Sequence, residues 1–173
     1  MVGRDRHLPL ALLLLALMAP AAGFAAPRGV AVPPPGQVQL MRPLTLAKLV
    51  DMDFGNLAVT TAGTAVIDAV TDTLGTTGGV VKAGGTPHAA QFRGVAQGGN
   101  VVNIKVPNKA VTLTRIGGGA SMVLDNFTLD GQSKRALAAA GIFDFKVGAT
   151  LHPAANQMEG VYTGTFDVTI QYP

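Results

Sequence analysis

A histidine, a serine or a carboxylate does chemistry only beside the base, ligand or charge that activates it, so each candidate is judged by its neighbours. Of the three histidines, His7 lies near the start, His88 follows Pro87 and His152 precedes Pro153. Isolated imidazoles, in a chain with no cysteine and no spaced carboxylate pair, make no metal site. Ser121 and Ser133 are the only serines, and neither sits in a Gly-x-Ser-x-Gly elbow. Asp53-Phe54-Gly55 spells a kinase tripeptide without the phosphate loop or catalytic loop that would give it work. It reads instead as a strand end, with Phe54 inward and Gly55 turning. Asp125, Asn126 and Asp130 miss the EF-hand spacing. Asn126-Phe127-Thr128 matches a glycosylation sequon, a match that short sequences often produce by chance. No catalytic, cofactor-binding or metal-binding residue is expected, nor a small-molecule substrate, and the protein is predicted not to be an enzyme.

The composition narrows the partners. The 173 residues carry 13 basic and 10 acidic side chains, a net +3, scattered without a cluster beyond Lys134-Arg135, so no nucleic acid is expected. Arg4 and Arg6, the apolar run Leu8–Met18 and the small residues of Gly23-Phe24-Ala25 read as a secretion signal cleaved after Ala25. Residues 1–25 are therefore a predicted signal peptide, and the protein is expected to be exported, passing the periplasm to the cell surface or beyond. Removing Arg4, Asp5 and Arg6 with that segment lowers the charge from +3 to +2. Without cysteine, an exported domain has no disulfide staples and must rely on its core.

Residues 26–43 include Pro33-Pro34-Pro35 and read as a Pro-rich arm or linker. Within it Val38 and Leu40 begin an alternation that Leu44 and Leu46 resume. Residues 44–173 then read as a single domain of strands. Leu44–Phe54 alternates, Leu57 and Val59 follow Gly55, and Gly63–Val70 has the look of a strand buried on both faces. Gly78-Gly79 and Gly84-Gly85 read as turns, Ala90–Gly94 as a short strand and Gly98-Gly99-Asn100 as a hairpin turn into Val102–Val106. Val111–Arg115 and Met122–Leu129 flank a Gly117–Gly119 turn. Lys134–Ala140 has helix propensity for two turns at most. Phe143–Val147 and Ala149–His152 are predicted as two further strands. Short strands at this spacing predict an all-β, antiparallel sandwich of roughly seven to ten strands.

The cleanest strand comes last. Tyr162, Phe166, Val168, Ile170 and Tyr172 point one way, with Gly164 in register, and Thr163, Thr165, Asp167, Thr169 and Gln171 point the other. It is predicted as one long strand, apolar on one side and wet on the other. Nothing follows it to cover its free edge, and a regular apolar edge is a template for another strand. Either an earlier part of the chain covers that edge or another molecule does.

This strand resembles the last strand of chaperone–usher pilus subunits, with Tyr172 second from the end and Gly160 fourteenth. Leu44–Tyr172 also resembles an exported bacterial family known as domain of unknown function 4402, through Leu49–Gly55, Gly63–Asp68, Gln91–Gly94, Val147–Leu151, Gly160–Phe166 and Ile170–Tyr172. The resemblance implies an immunoglobulin-like, pilin-like sandwich and brings no established activity. It also implies a fimbrial fibre subunit in which a neighbour's N-terminal extension fills a groove by strand addition. The assembly edge would then be Gly160, Phe166, Val168, Ile170 and Tyr172, and the donor arm would carry Val38 and Leu40. A periplasmic chaperone would supply the missing strand beforehand, meeting Tyr172, and an outer-membrane usher would pass subunits into a homopolymer. The alternative is a self-contained secreted or surface binding or coat module whose own arm closes the edge.

Overall fold

The computed structural model describes residues 38–173, and Gln39–Pro173 form one unit within it. The predicted signal segment and residues 26–37 of the predicted arm lie outside the described residues. Among the described residues there are eleven strands and no helix: β1 (Thr45–Val50), β2 (Asn56–Asp68), β3 (Thr73–Gly84), β4 (Ala90–Val95), β5 (Val101–Lys105), β6 (Val111–Arg115), β7 (Ser121–Leu129), β8 (Lys134–Ala136), β9 (Ile142–His152), β10 (Tyr162–Thr163) and β11 (Thr169–Gln171). The fold is an all-β antiparallel sandwich, as the spacing predicts. The strand count exceeds the expected range because the final strand is divided in two and because a predicted helical stretch is extended.

β9 is the hub. Its first half pairs with β4 from Ile142↔Val95 to Val147↔Ala90, and its second half pairs with β7 from Val147↔Leu129 to His152↔Val123. β2 takes the edge that β4 leaves free, setting Ala65 opposite Leu151 and Ile67 opposite Ala149. β1 extends the sheet beyond β4, β3 beyond β2, and β6 and β10 beyond β7. A second sheet has the order β11-β5-β8. β9 thus runs unbroken through Gly148, where two strands are predicted. A Cβ at Gly148 would overlap the Ile67 carbonyl oxygen. The glycine marks a close approach of β2, not an interruption.

The core follows from alternation. Phe145, Val147, Ala149 and Leu151 of β9 are buried, as are Ala90 and Phe92 of β4. Phe92 stacks on Phe145 with centroids 5.3 Å apart, and Phe143 stacks on Phe145 at 6.1 Å. Val102 and Ile104 of β5 close over this row at 0% and 2% exposure. A second cluster gathers Ala65, Val80, Leu124, Ala149 and Leu151, against which Leu57, Val59, Val111, Leu113 and Met122 pack.

Several local expectations yield to tertiary structure. β2 is buried on one face only, through Ala65 and Ile67, while Val66 is 38% exposed. Gly78-Gly79 is not a turn. It lies inside β3 opposite Ala62 and Gly63, where a Cβ at Gly79 would collide with Thr61. The hairpin turns instead at Asp68, whose carboxylate accepts the amides of Val70 (2.7 Å) and Thr71 (2.8 Å). Gly98-Gly99-Asn100 joins two sheets and not a hairpin, because β4 and β5 are not paired. Lys134–Ala136 forms β8 on the edge of β5, and Leu137 is buried beside Ala96 and Val102. A ladder and a buried leucine outweigh the propensity of a helix too short to hold itself.

Candidate assembly edge

The C-terminal stretch crosses between the sheets. β10 pairs with β6, setting Tyr162 opposite Arg115, and β11 pairs with β5, setting Ile170 opposite Ile104. Because β6 and β5 lie in different sheets, one strand cannot ladder against both without a break. Gly164–Val168 accordingly belong to no strand, and among the described residues no turn bond joins them to other backbone. The predicted long strand is therefore two short ones with an unpaired link. Its side-chain alternation is nonetheless present. Phe166, Val168, Ile170 and Tyr172 are half-buried, while Thr165, Asp167, Thr169 and Gln171 are exposed. A recess of about 300 Å³ lies where the two segments part, between Lys105–Val111 and Thr165–Thr169.

The predicted edge residues occupy distinct positions. Gly160 has φ +144°, a conformation that disfavours side chains, and the Arg115 side chain crosses over it to donate to the Glu159 carbonyl. Phe166 meets Phe127 at 5.0 Å and the edge of Phe92 at 6.5 Å. Val168 and Ile170 pack with it on the cluster of Ala90, Phe92, Ile104, Phe145 and Val147, which also receives Leu46 from β1. So the row formed by Leu46, Phe166, Val168 and Ile170 is half-open, whereas Val102 and Ile104, one strand inward, are sealed. Val38 and Leu40 are 85% and 91% exposed. The structure brings Phe166, Val168 and Ile170 together, sets Gly160 apart beside Arg115, and leaves Val38 and Leu40 in solvent.

Tyr172 has partners that no local pattern announces. Its hydroxyl donates to the Arg42 carbonyl at 2.8 Å and accepts the Gln97 amide at 2.7 Å. The Gln97 side-chain oxygen accepts the Arg42 amide at 3.4 Å. Arg42 and Gln97 escape sequence reading because they stand 130 and 75 positions away from Tyr172. Leu44 and Tyr172 pack against the same group, Ala96, Val102 and Leu137.

The side chains first considered for chemistry serve local structure. Asp53 accepts the Gly55 amide at 2.7 Å, and Gly55 has φ +67°, the turn expected after Phe54. His152 Nε2 lies 2.8 Å from Asp125 Oδ1. His88 pairs through its backbone with Asp53, and its Nδ1 is buried without a partner. Among the described residues no group of three or more His, Asp or Glu side chains could hold a metal ion. Three carboxyls are held below the usual carboxylate range, all away from the edge. Asp72 is held there by the Lys146 ammonium (2.7 Å) and then the Ala89 amide, Asp144 by the Arg93 guanidinium, and Asp68 by the amides of Thr71 and Val70.

Residues 44–172 match the family model described as a domain of unknown function (DUF4402). No curated protein and no solved structure matches the chain.

Proposed function

The chain belongs to the domain-of-unknown-function family DUF4402, and from that premise we propose that it is a non-enzymatic, exported structural protein, a subunit of a pilus-like surface fibre assembled by strand addition. One observation carries the reading. Among the described residues Gly164–Val168 pair with no strand, and the apolar row that Phe166 and Val168 form with Leu46 and Ile170 is only half covered. An added strand supplies both missing things, hydrogen bonds to the link and cover for Leu46, Phe166, Val168 and Ile170. Fully burying such a side chain is worth about 1.5–3 kcal/mol, and half-buried ones gain about half of that. The donor is the arm of a second copy, whose Val38 and Leu40 stand one residue apart and exposed. Before assembly a periplasmic chaperone fills the same place and an outer-membrane usher receives the subunit.

The test compares the protein from Ala26 onward with a variant lacking Ala26–Met41, both run unheated on a denaturing gel. A ladder of oligomers that disappears with the arm, while the variant keeps its cooperative unfolding, supports the fibre. A full-length protein that stays monomeric, with a deletion that unfolds, overturns it in favour of a self-contained module.

A further inference from the structure

We propose that the recess beside the C-terminal link binds a small organic acid, a single negative charge carried on a compact apolar body. The inference stands apart from strand addition. It concerns the opening between the link and the β5–β6 connection, and not the half-open row that Leu46 shares.

The opening follows from a mismatch in length. β11 pairs with β5 as far as Thr169↔Lys105, and β10 pairs with β6 as far as Thr163↔Thr114. Between these two pairs the C-terminal stretch has five residues, Gly164–Val168, while the facing segment has eight, Val106–Leu113. Three residues are surplus, so the two segments cannot continue side by side. Continuing the β11–β5 register would set Pro107 opposite Asp167, and proline has no N–H to give a ladder. Beyond it Asn108, Lys109 and Ala110 stand exposed. The space left between is about 300 Å³, at the small end of the range that ligand pockets occupy.

The lining sets the chemistry of what fits. Val106, Val111 and Phe166 are half-buried and offer an apolar wall. Lys105 and Lys109 also line the recess, both exposed, and among the described residues neither belongs to an ion pair. Asp167 is the third charged side chain of the lining, which leaves the recess at a net +1. One negative charge is therefore matched. A carboxylate can accept from the two ammonium groups, and such charge-assisted hydrogen bonds are stronger than neutral ones. A second negative charge would meet Asp167. A cation would find one carboxylate against two ammonium groups. The apolar body belongs against Phe166, since a bare anion would leave that wall uncovered.

Phenylacetate is the probe, followed by saturation-transfer NMR on its own signals, which reads binding whether the chain is monomeric or assembled. The protein from Ala26 onward should bind it with a Kd on the order of 1 mM, as suits so small a ligand. Acetate keeps the charge without the body, and phenethylamine keeps the body with the opposite charge. Each should bind at least about tenfold more weakly. Replacing Lys105 and Lys109 together by alanine should weaken phenylacetate about five- to tenfold, whereas Asp167→Asn should tighten it about twofold. Lys82→Ala, on β3 and away from the recess, should leave the Kd unchanged. Opposite signs from the two kinds of rim charge are what adventitious apolar binding would not produce. Phenylacetate that never saturates overturns the site. Phenethylamine that binds equally well, or a Kd indifferent to loss of both lysines, overturns the acid as its ligand. Rising salt should also weaken wild-type binding, and a salt-independent Kd counts against the lysines even if a variant does not fold. Strand addition is read from the gel ladder, so either proposal can fail while the other stands.

Discussion

β9 and the C-terminal stretch have the same alternation and opposite fates. The glycine in each suggests a break in β9 and continuity at the end of the chain. The structure has the reverse, with β9 continuous through Gly148 and the C-terminal stretch interrupted at Gly164. The difference lies in their neighbours. β9 has strands along both edges, and its inner face is sealed. Among the described residues the C-terminal stretch has one neighbouring strand at each end and none between, and its inner face is half-open. Period two reports which way side chains point and says nothing of who pairs with the backbone.

Substitution of matched pairs tests that contrast. The largest effect is expected from Phe145→Asp against Phe166→Asp. Phe145 is 1% exposed at the centre of the aromatic row, and although the Arg135 guanidinium lies 5.8 Å from its ring, a carboxylate there is cut off from water and leaves the ring's space empty, so cooperative folding should be lost. At half-buried Phe166 the carboxylate can reach solvent, and the protein should still fold with a loss of about 1–3 kcal/mol. Urea unfolding measures both, and equal losses would erase the distinction between hub and edge.

Next come the glycines. At Gly148 a methyl group meets backbone atoms of Ile67 and Ala69 in a strand held on both sides, and Gly148→Ala should cost about 2–3 kcal/mol. At Gly164 the nearest atom belongs to the flexible Leu113 side chain, at 2.6 Å, and the closest backbone atom, the Thr112 carbonyl oxygen, stands at 3.0 Å, against 2.1 Å for the Ile67 carbonyl oxygen at Gly148. Gly164→Ala should cost about 1 kcal/mol or less. Thermal melts of the two variants rank them.

Acid should separate the regions more gently. Asp72, Asp68 and Asp144 have depressed folded-state values, and each serves the hairpin or β9 and not the edge. A depressed carboxyl stabilises the fold above its unfolded value of about 3.9, and the contribution fades as pH falls from there through the folded value. Stability should therefore decline below about pH 4, and Asp72→Asn should flatten part of that decline. Denaturation curves collected from pH 6 down to pH 3 would show it. An unchanged slope in the variant would remove Asp72 from the account.

The fold class was legible because strands leave periodic traces that no partner needs to explain. The apolar faces of Ala90–Gly94, Val111–Arg115 and Tyr162–Tyr172 needed no tertiary information. What stayed hidden depended on distant neighbours. Lys134–Ala136 is a strand because β5 offers an edge, and Gly79 lies in a strand because Thr61 presses on it. Tyr172 stood out by its position, yet its partners Arg42 and Gln97 could not be inferred from any spacing. The row of edge residues was visible in sequence as a face, and its incomplete cover only in three dimensions.

The three-sided position of β9 also governs how the molecule comes to be. Its partners are spread from Ala65 to Leu129 along the chain, and Ala65 must wait for Leu151. Closing such long loops costs entropy before any pairing rewards it, and topologies of this kind fold slowly. A chain emerging from its N-terminus presents β2, β4 and β7 with unsatisfied edges until residues 142–152 arrive to join them. The sandwich therefore has no early half that can stand alone. The interval between emergence and closure is when this protein is most exposed to pairing with the wrong strand.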